Sequence, residues 1–311
     1  MKKAIALIFC VILISGVLAG CKKSATNEYP FTLGGVKFTE KPSRVVILSD
    51  SITEIVWYMQ MNAAVIGRPE DCTVEKAKEK PSFGTQESPD TQKIISDRAE
   101  LVICDSDLND DARDALLRAG VKVLTLKPAI NRATLKQLYA NIGSVFYGLN
   151  TGKEWAESAV NQLLISMDDV ERSYDTEEEV LPTVCMTFDT GMIKIATGDT
   201  MISMAINCAG GLNIAEDAEG YQFDTELLRT ANPQFVLCPK GAGYTLRRNT
   251  DFQDLGAFVK GRVYELDYSL LTNQGDSLLK LTQRIGELIH PNFKAEGGSI
   301  SSLANGEGAE E

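Results

Sequence analysis

The sequence predicts an α/β protein built of two similar lobes with parallel sheets, joined by one long rigid helix and separated by a ligand cleft. Three observations predict this fold: short apolar runs alternate with helical patterns, a long amphipathic helix lies midway along the chain, and a segment of the first half recurs in the second. Strands that helices bury on both faces appear as continuous apolar runs, which is typical of parallel sheets.

Six apolar runs are the predicted strands. Each lies next to a helical pattern, and this alternation favours parallel pairing through crossover helices. The runs are Val45–Leu48, Leu101–Ile103, Val121–Leu124, Val184–Met186, Phe235–Leu237 and Val263–Leu266.

One helix is predicted between the two sets of strands, over about 152–174. Its apolar residues, from Trp155 to Val170, recur at three- and four-residue spacings. At ~1.5 Å per residue it would be about 30 Å or more long. No linker rich in glycine or proline interrupts it, so we expect little movement of one lobe against the other.

The repeat supports two equivalent lobes. Thr91–Cys104 aligns with Thr225–Cys238 without a gap, and both segments have the pattern of helix, turn and buried strand. Further on, Ala119–Val123 parallels Lys260–Tyr264. The two segments share few identical residues. The competing interpretation is therefore a chance likeness, since any two αβ units have similar patterns. A structural duplication would create a cleft between the strand ends of the lobes, where open sheets bind ligands.

The amino terminus has the pattern of a bacterial secretory signal. Lys2 and Lys3 precede an apolar run over 4–17, and Leu18-Ala19-Gly20-Cys21 follows as a lipobox. The run is too short for an ordinary transmembrane helix, and the small residues suit cleavage before the cysteine. The alternative is an uncleaved anchor. Resemblance to bacterial lipoproteins implies a diacylglycerol thioether on Cys21 and attachment to the cell membrane.

These patterns divide the chain into six parts. The start, over 22–29, and the acidic end are poor in apolar periodicity and are expected to be disordered. The parts are a signal peptide at 1–20, a lipidated amino terminus and linker at 21–40, an N-terminal lobe at 41–150, the bridging helix at 151–175, a C-terminal lobe at 176–295 and a tail at 296–311.

Charge and cysteine content exclude some functions. Without residues 1–20 the chain keeps 29 basic against 43 acidic residues, a charge of −14, which disfavours a nucleic-acid partner. Five cysteines remain after Cys21, and they form no close pair. Their odd number and apolar surroundings indicate small buried side chains rather than a disulfide framework. They are Cys72, Cys104, Cys185, Cys208 and Cys238.

Several short motifs occur in a recognisable order: Lys41–Ser49 with Thr53–Ile55, Val65–Gly67, Ser82–Gly84, Ile94–Ile103 and Gly120–Val123. In this order, over roughly 41–291, the chain resembles the substrate-binding proteins of ABC importers for cobalamin, ferric siderophores and haem, the class III periplasmic binding proteins. The resemblance implies lobes bridged by a rigid helix, a shallow cleft and little closure on binding.

The resemblance also implies a function: a monomeric extracytoplasmic lipoprotein that delivers its ligand to an ABC permease dimer with its ATPase. The segment Leu48–Ile55 and Cys72 resemble the cobalamin-binding branch, which favours a corrinoid ligand. Lys240, Arg247 and Arg248 keep a ferric siderophore possible, and haem remains an alternative. A cell-surface ligand sensor is the alternative from another class.

Residues just past the predicted strand ends are candidates for the cleft. Aromatic side chains among them would give flat apolar walls to a large ring-shaped ligand. The first lobe offers Asp50, Ser51, Arg68, Glu70, Phe83, Asp105 and Ser106, and the second offers Phe188, Asp189, Tyr221, Lys240, Tyr244, Arg247, Asp267 and Tyr268.

For docking, the resemblance implies an acidic residue on the upper helix of each lobe, facing arginines of the permease. Glu226 matches that position in the second lobe, but its repeat partner in the first lobe is Gln92. Asp90 or Glu87 would supply the missing charge. The alternative is that these carboxylates only favour a helix amino terminus.

A catalytic site and a metal site are the remaining alternatives. Gly275-Asp276-Ser277-Leu278 matches the block that names one family of serine esterases, but it comes late in the chain, where Asp276 or Ser277 would cap the last helix. The single histidine, His290, would lie some 18 Å away at ~1.5 Å per residue. One histidine excludes a His-rich metal site, and no calcium loop is present. We therefore expect no enzyme, no cofactor and no metal.

Overall fold

The computed structural model describes residues 28–174, 182–187 and 194–290, and it confirms an α/β fold with parallel sheets in two lobes. The signal segment, Cys21, Phe188, Asp189 and the tail at 296–311 lie outside the described residues. Within the described ranges, no helix is both long and apolar enough to cross a membrane.

The first lobe is a four-stranded parallel sheet with strand order β4-β3-β5-β6. The two central strands, β3 and β5, are fully buried, whereas the edge strand β6 exposes Lys122; the apolar side chains fill two clusters on either side of the sheet. The strands are β3 Val45–Ile47, β4 Val65–Gly67, β5 Leu101–Cys104 and β6 Lys122–Thr125; the helices are α1 Asp50–Tyr58, α2 Thr91–Ser96, α3 Asp110–Arg118 and α4 Arg132–Tyr147.

The second lobe repeats this plan. Its sheet has the strand order β8-β7-β9-β10. In both sheets the second strand along the chain lies at one edge, followed by the first, third and fourth, so the topology confirms the predicted duplication. The strands are β7 Thr183–Met186, β8 Leu212–Asn213, β9 Phe235–Pro239 and β10 Val263–Leu266; the helices are α6 Met201–Cys208, α7 Thr225–Ala231, α8 Gly243–Arg247, α9 Gly256–Val259, α10 Tyr268–Thr272 and α11 Asp276–Ile289.

The bridging helix α5 spans Thr151–Ser173, as its periodicity predicted. It packs on α4 of the first lobe and on α6 and α11 of the second. The crossing with α4 is close because two glycines meet there: a Cβ added to Gly152 would lie 2.0 Å from the carbonyl oxygen of Gly143. The apolar face of α5 is therefore buried against both lobes.

The segment expected to be a linker, 21–40, contains structure of its own. β1 (Phe31–Leu33) and β2 (Val36–Phe38) pair as an antiparallel hairpin, turned by two glycines with positive φ. The rings of Phe31 and Phe38 stack at 5.1 Å, and Phe38 is fully buried in the first-lobe core. The linker expectation is wrong for 31–38, because two phenylalanines gain enough burial to hold a short hairpin against the lobe.

Candidate functional site

Two carboxylates lie at the carboxyl ends of β3 and β5. Ser49 Oγ donates to Asp105 Oδ2 at 2.5 Å and accepts from Ile52 N, which caps α1. Asp50, the first residue of α1, accepts from Thr73 N at 2.9 Å and from Thr73 Oγ1 at 2.5 Å. The start of α1 therefore places Asp50 at this edge of the sheet, and the hydrogen bond from Ser49 holds Asp105 beside it.

This edge is strongly acidic. Burial raises the pKa of Asp71, and the nearby charges of Asp50, Glu87 and Asp105 raise it further. Burial also raises the pKa of the Cys72 thiol to about 12, with Asp50 adding to the effect. The mouth of the first lobe therefore carries a concentrated negative potential.

The Arg68 guanidinium adds one positive charge near this edge, close enough to oppose the rise in the pKa of the Cys72 thiol, but it is not directed at a ligand. Its Nη1 donates to Pro69 O at 2.8 Å and to Glu70 O at 3.3 Å, so the side chain folds back onto its own loop. Its Nε is buried and has no hydrogen-bond partner among the described residues. The Glu70 side chain is exposed beside it.

Phe83 is wrong as a wall of the cleft. Only 1% of it is exposed, and its ring fills the space that a side chain at Gly67 would need. Lys93 Nζ lies 3.8 Å from the ring centroid. Ser82 forms a parallel β-bridge with Arg68, so the side chain of Phe83, the next residue, turns into the first-lobe core rather than outward.

The segment Asn273–Ser277, here called the interlobe clasp, joins the second lobe to the first. Asn273 Nδ2 donates to Asp50 Oδ2 at 2.9 Å, and Gln274 N donates to Ser51 Oγ at 3.1 Å. The Gln274 amide makes two hydrogen bonds of 2.8 Å with the backbone N and O of Ala129. Both clasp side chains are buried.

Glu54 completes the clasp from the first lobe. Its carboxylate accepts from Gly275 N at 2.8 Å, from Ser277 N at 3.0 Å and from Ser277 Oγ at 2.5 Å. It thereby caps α11, a helix of the other lobe. Burial raises the pKa of Glu54, although these three donors oppose the rise. The lobes thus have a second rigid connection besides α5.

Sequence reasoning missed Thr73, Asn273 and Gln274 as parts of this site. The bonds of Asn273 to Asp50 and Thr73 join residues 223 and 200 positions apart, so no local spacing marks them. The available signal was the short polar run 272–277 between two helical patterns, which is unusual for a segment that becomes buried.

The esterase-like block takes part in the clasp. Ser277 Oγ donates to Glu54, whereas His290 follows the far end of α11. There its ring stacks on Tyr174 at 4.7 Å, and its Nε2 lies 3.1 Å from Ala209 O. Ser277 and His290 are therefore not a nucleophile–base pair in this structure.

In the second lobe, Lys240 and Asp267 follow neighbouring strands and form an exposed ion pair of 3.6 Å. Tyr221 and Tyr268 are 43% and 61% exposed. Burial raises the pKa of Tyr221, with the charges of Asp199 and Tyr268 adding to the rise. Two aromatic side chains expected in the cleft are thus exposed on the second lobe.

The remaining second-lobe candidates lie on and after α8. Tyr244 is 67% exposed, and Arg248 Nη1 donates to its hydroxyl. The Arg247 guanidinium lies 5.8 Å from the ring centroid of Phe258, a core residue on α9. Arg247 and Arg248 are thus each engaged with a neighbouring ring of their own lobe.

A groove of about 490 Å³ lies between the lobes beside the clasp. It brings Asp267 of the second lobe opposite the loop that carries Thr73. Its lining residues are Glu54, Trp57, Tyr58, Thr73, Val74, Glu75 and Lys76 from the first lobe, and Asp267, Ser269, Leu270, Asp276, Ser277 and Lys280 from the second.

Among the described residues, one group of potential metal ligands is found: Asp168, Glu171 and Cys208. Arg132 Nη2 donates to the Asp168 carboxylate and lies 3.4 Å from Cys208 Sγ. A guanidinium already supplies the positive charge that a metal would bring. The ion pair of Arg132 with Asp168 and the contact of Arg132 with Cys208 thus tie α4 to α5 and α6.

The expected docking residues occupy helix starts. Glu226 is exposed in the first turn of α7, whose cap is Asp224, and Gln92 is exposed in the first turn of α2. Asp90 is the repeat equivalent of Asp224 and likewise caps its helix, accepting from Lys93 N at 2.9 Å. The cap role of Asp90 is thus established, while docking stays a prediction.

Comparison with known proteins agrees with this architecture. The chain is 24% identical to an uncharacterized ABC transporter substrate-binding lipoprotein, YvrC, of Bacillus subtilis (strain 168), over 94% of this chain and 99% of the relative. Its fold matches the periplasmic heme-binding protein RhuT from Roseiflexus sp. RS-1, with TM-score 0.65 and 22% identity over 80% of this chain and 99% of that one. It also matches the periplasmic vitamin B12 binding protein BtuF of Vibrio cholerae, with TM-score 0.61 and 15% identity over 80% and 97%. Residues 45–270 match the family model described as periplasmic binding protein, and the chain therefore belongs to that family.

Proposed function

We propose that this protein is an extracytoplasmic substrate-binding lipoprotein that captures a corrinoid between its lobes and delivers it to an ABC permease dimer with its ATPase. Family membership and the similar lipoprotein of Bacillus subtilis support the importer role. The lipobox ending at Cys21 supports attachment to the membrane. The similar solved proteins include a heme-binding protein and a vitamin B12 binding protein, so likeness to them leaves the ligand open.

The acidic first-lobe edge is the observation that carries the corrinoid assignment. Asp50, Asp71 and Asp105 lie close enough that the charges of the other two raise the pKa of Asp71. The carboxylates of haem and of acidic iron chelates would be repelled there. A corrinoid instead presents amide groups, whose N–H donors suit carboxylate acceptors.

The described cations give little compensation for a ligand's negative charge. Arg68 is turned into its own loop, Lys240 is paired with Asp267, and Arg247 lies over Phe258. Tyr221 and Tyr268 offer exposed rings that suit the flat face of a macrocycle. The chemistry of this edge thus favours a large ligand with amide donors over an anionic one.

Titration calorimetry of the purified protein with cobalamin, cobinamide, haem and a ferric siderophore tests the proposal. We expect saturable binding of a corrinoid, weakened at least tenfold by Asp105→Asn, which corresponds to about 1.4 kcal/mol. Asp110→Asn, which neutralises an exposed carboxylate on α3, is the matched control and should change nothing.

Two outcomes would contradict the proposal at different levels. Binding of a ferric siderophore or haem without corrinoid binding would refute the corrinoid assignment but leave the role as a substrate-binding protein intact. Ester hydrolysis that Ser277→Ala abolishes would refute the class itself.

A further inference from the structure

An exposed aromatic patch lies where the bridging helix begins. Trp155 is 48% and Leu149 is 42% exposed. The rings of Tyr147 and Trp155 stack at 5.9 Å, and Lys41 Nζ lies 3.8 Å from the centroid of the Tyr147 ring. These four residues, here called the aromatic patch, form one surface of the first lobe that the corrinoid proposal does not use.

The chain enters the fold at this patch. The Glu28 carboxylate accepts from Asn150 N at 2.9 Å and from Thr151 Oγ1 at 2.6 Å, so it caps α5. The Glu28 carbonyl accepts from Leu149 N at 3.2 Å. The first described residue is therefore held against Leu149 and the first turn of α5.

The lipid attachment point expected at Cys21 is close to the patch along the chain. Six residues lie between Cys21 and Glu28, and the seven Cα-to-Cα steps across them span at most ~25 Å when fully extended. Trp155 is one helical turn beyond Thr151, about 6 Å along the axis. With the lipid in the bilayer, the patch cannot lie more than roughly 30 Å from Cys21.

We propose that the aromatic patch rests in the headgroup region of the membrane and acts as a second contact beside the lipid. Tryptophan and tyrosine favour this region because one side of the ring system is apolar and the other polar. The Lys41 ammonium lies over one face of the Tyr147 ring, and its outer side can meet a lipid phosphate.

Charge restricts the contact to this patch. The mature chain carries −14, so anionic headgroups repel most of its surface. Lys22 and Lys23 directly follow Cys21 in the sequence, which adds positive charge on the side where the tether meets the membrane. The first lobe would thus be held with the start of α5 toward the bilayer.

The two tryptophans of the chain, Trp57 and Trp155, give a direct test. Full-length lipidated Trp57→Phe protein, with Trp155 as its only tryptophan, is reconstituted into vesicles of phosphatidylcholine and phosphatidylglycerol. The acyl chains are either native or brominated near the headgroup. Because Trp155 would lie at that depth, we expect brominated lipid to remove about half of its emission, and Lys41→Glu to reduce this quenching.

The matched control is Trp155→Phe, whose remaining Trp57 lines the interlobe groove and should keep its emission. Unchanged Trp155 emission in vesicle-bound protein would overturn the proposal, whether the patch faces water or is covered by the chain's own amino terminus. Lipidated protein that fails to stay with the vesicles would also overturn it. Corrinoid affinity is measured separately and does not enter this test.

Discussion

Replacing Gln274 by alanine tests how much the interlobe clasp stabilises the protein. The Gln274 side chain is 6% exposed and forms hydrogen bonds of 2.8 Å to both Ala129 N and Ala129 O. Truncation leaves a buried donor and a buried acceptor without partners, at ~1–3 kcal/mol each. Because water can enter the vacated space, we expect the free energy of unfolding to fall by about 2–4 kcal/mol. The melting temperature should fall by roughly 5–10 °C.

Equilibrium urea unfolding followed by circular dichroism measures this change. Gln283→Ala is the control, because Gln283 is a half-buried glutamine on α11 that lies outside the clasp. Its free energy of unfolding should stay within about 0.5 kcal/mol of that of wild type. Gln274→Glu should lose at least as much stability as Gln274→Ala, since a carboxylate would face the Ala129 carbonyl. If Gln274→Ala and Gln283→Ala unfold at the same urea concentration, the clasp contributes nothing and the reasoning is refuted.

Three further outcomes are expected. Cys21→Ser should move the protein from the membrane pellet to the soluble fraction, and variant protein that stays in the pellet without its signal peptide would refute lipidation. Glu226→Ala should leave ligand affinity unchanged and impair uptake by a reconstituted transporter, with Asp90→Ala impairing it more weakly; normal uptake by Glu226→Ala would remove that residue from the docking surface. Burial raises the pKa of Glu54 above 4.5, so the folded chain takes up this proton at a higher pH than the unfolded chain does. The free energy of unfolding of wild type, measured relative to that of Glu54→Gln by urea unfolding, should therefore rise as the pH falls from neutral toward 4.5. If this difference instead falls, the three hydrogen-bond donors to Glu54 outweigh its burial.

The fold class, five of the strands almost to the residue, the bridging helix and the duplication could all be predicted from the sequence. These features follow from local periodicity, because a strand buried on both faces needs a continuous apolar run and a bridging helix needs an apolar stripe. Local patterning failed where elements are very short, as in the hairpin over 31–38 and the two-residue strand Leu212–Asn213.

The assembly of the candidate site could not be predicted in this way, because it depends on contacts between distant parts of the chain. Asp50 was found from its place after a strand, but its partner Asn273 lies 223 residues away, and no local pattern reports such a contact. Phe83, inside the motif Ser82–Gly84, was also expected to line the cleft, yet its ring faces the core because the open space beside Gly67 accepts it. Strand ends and helix caps are set by neighbours in the chain, whereas the direction and partners of a side chain depend on what the fold brings against it.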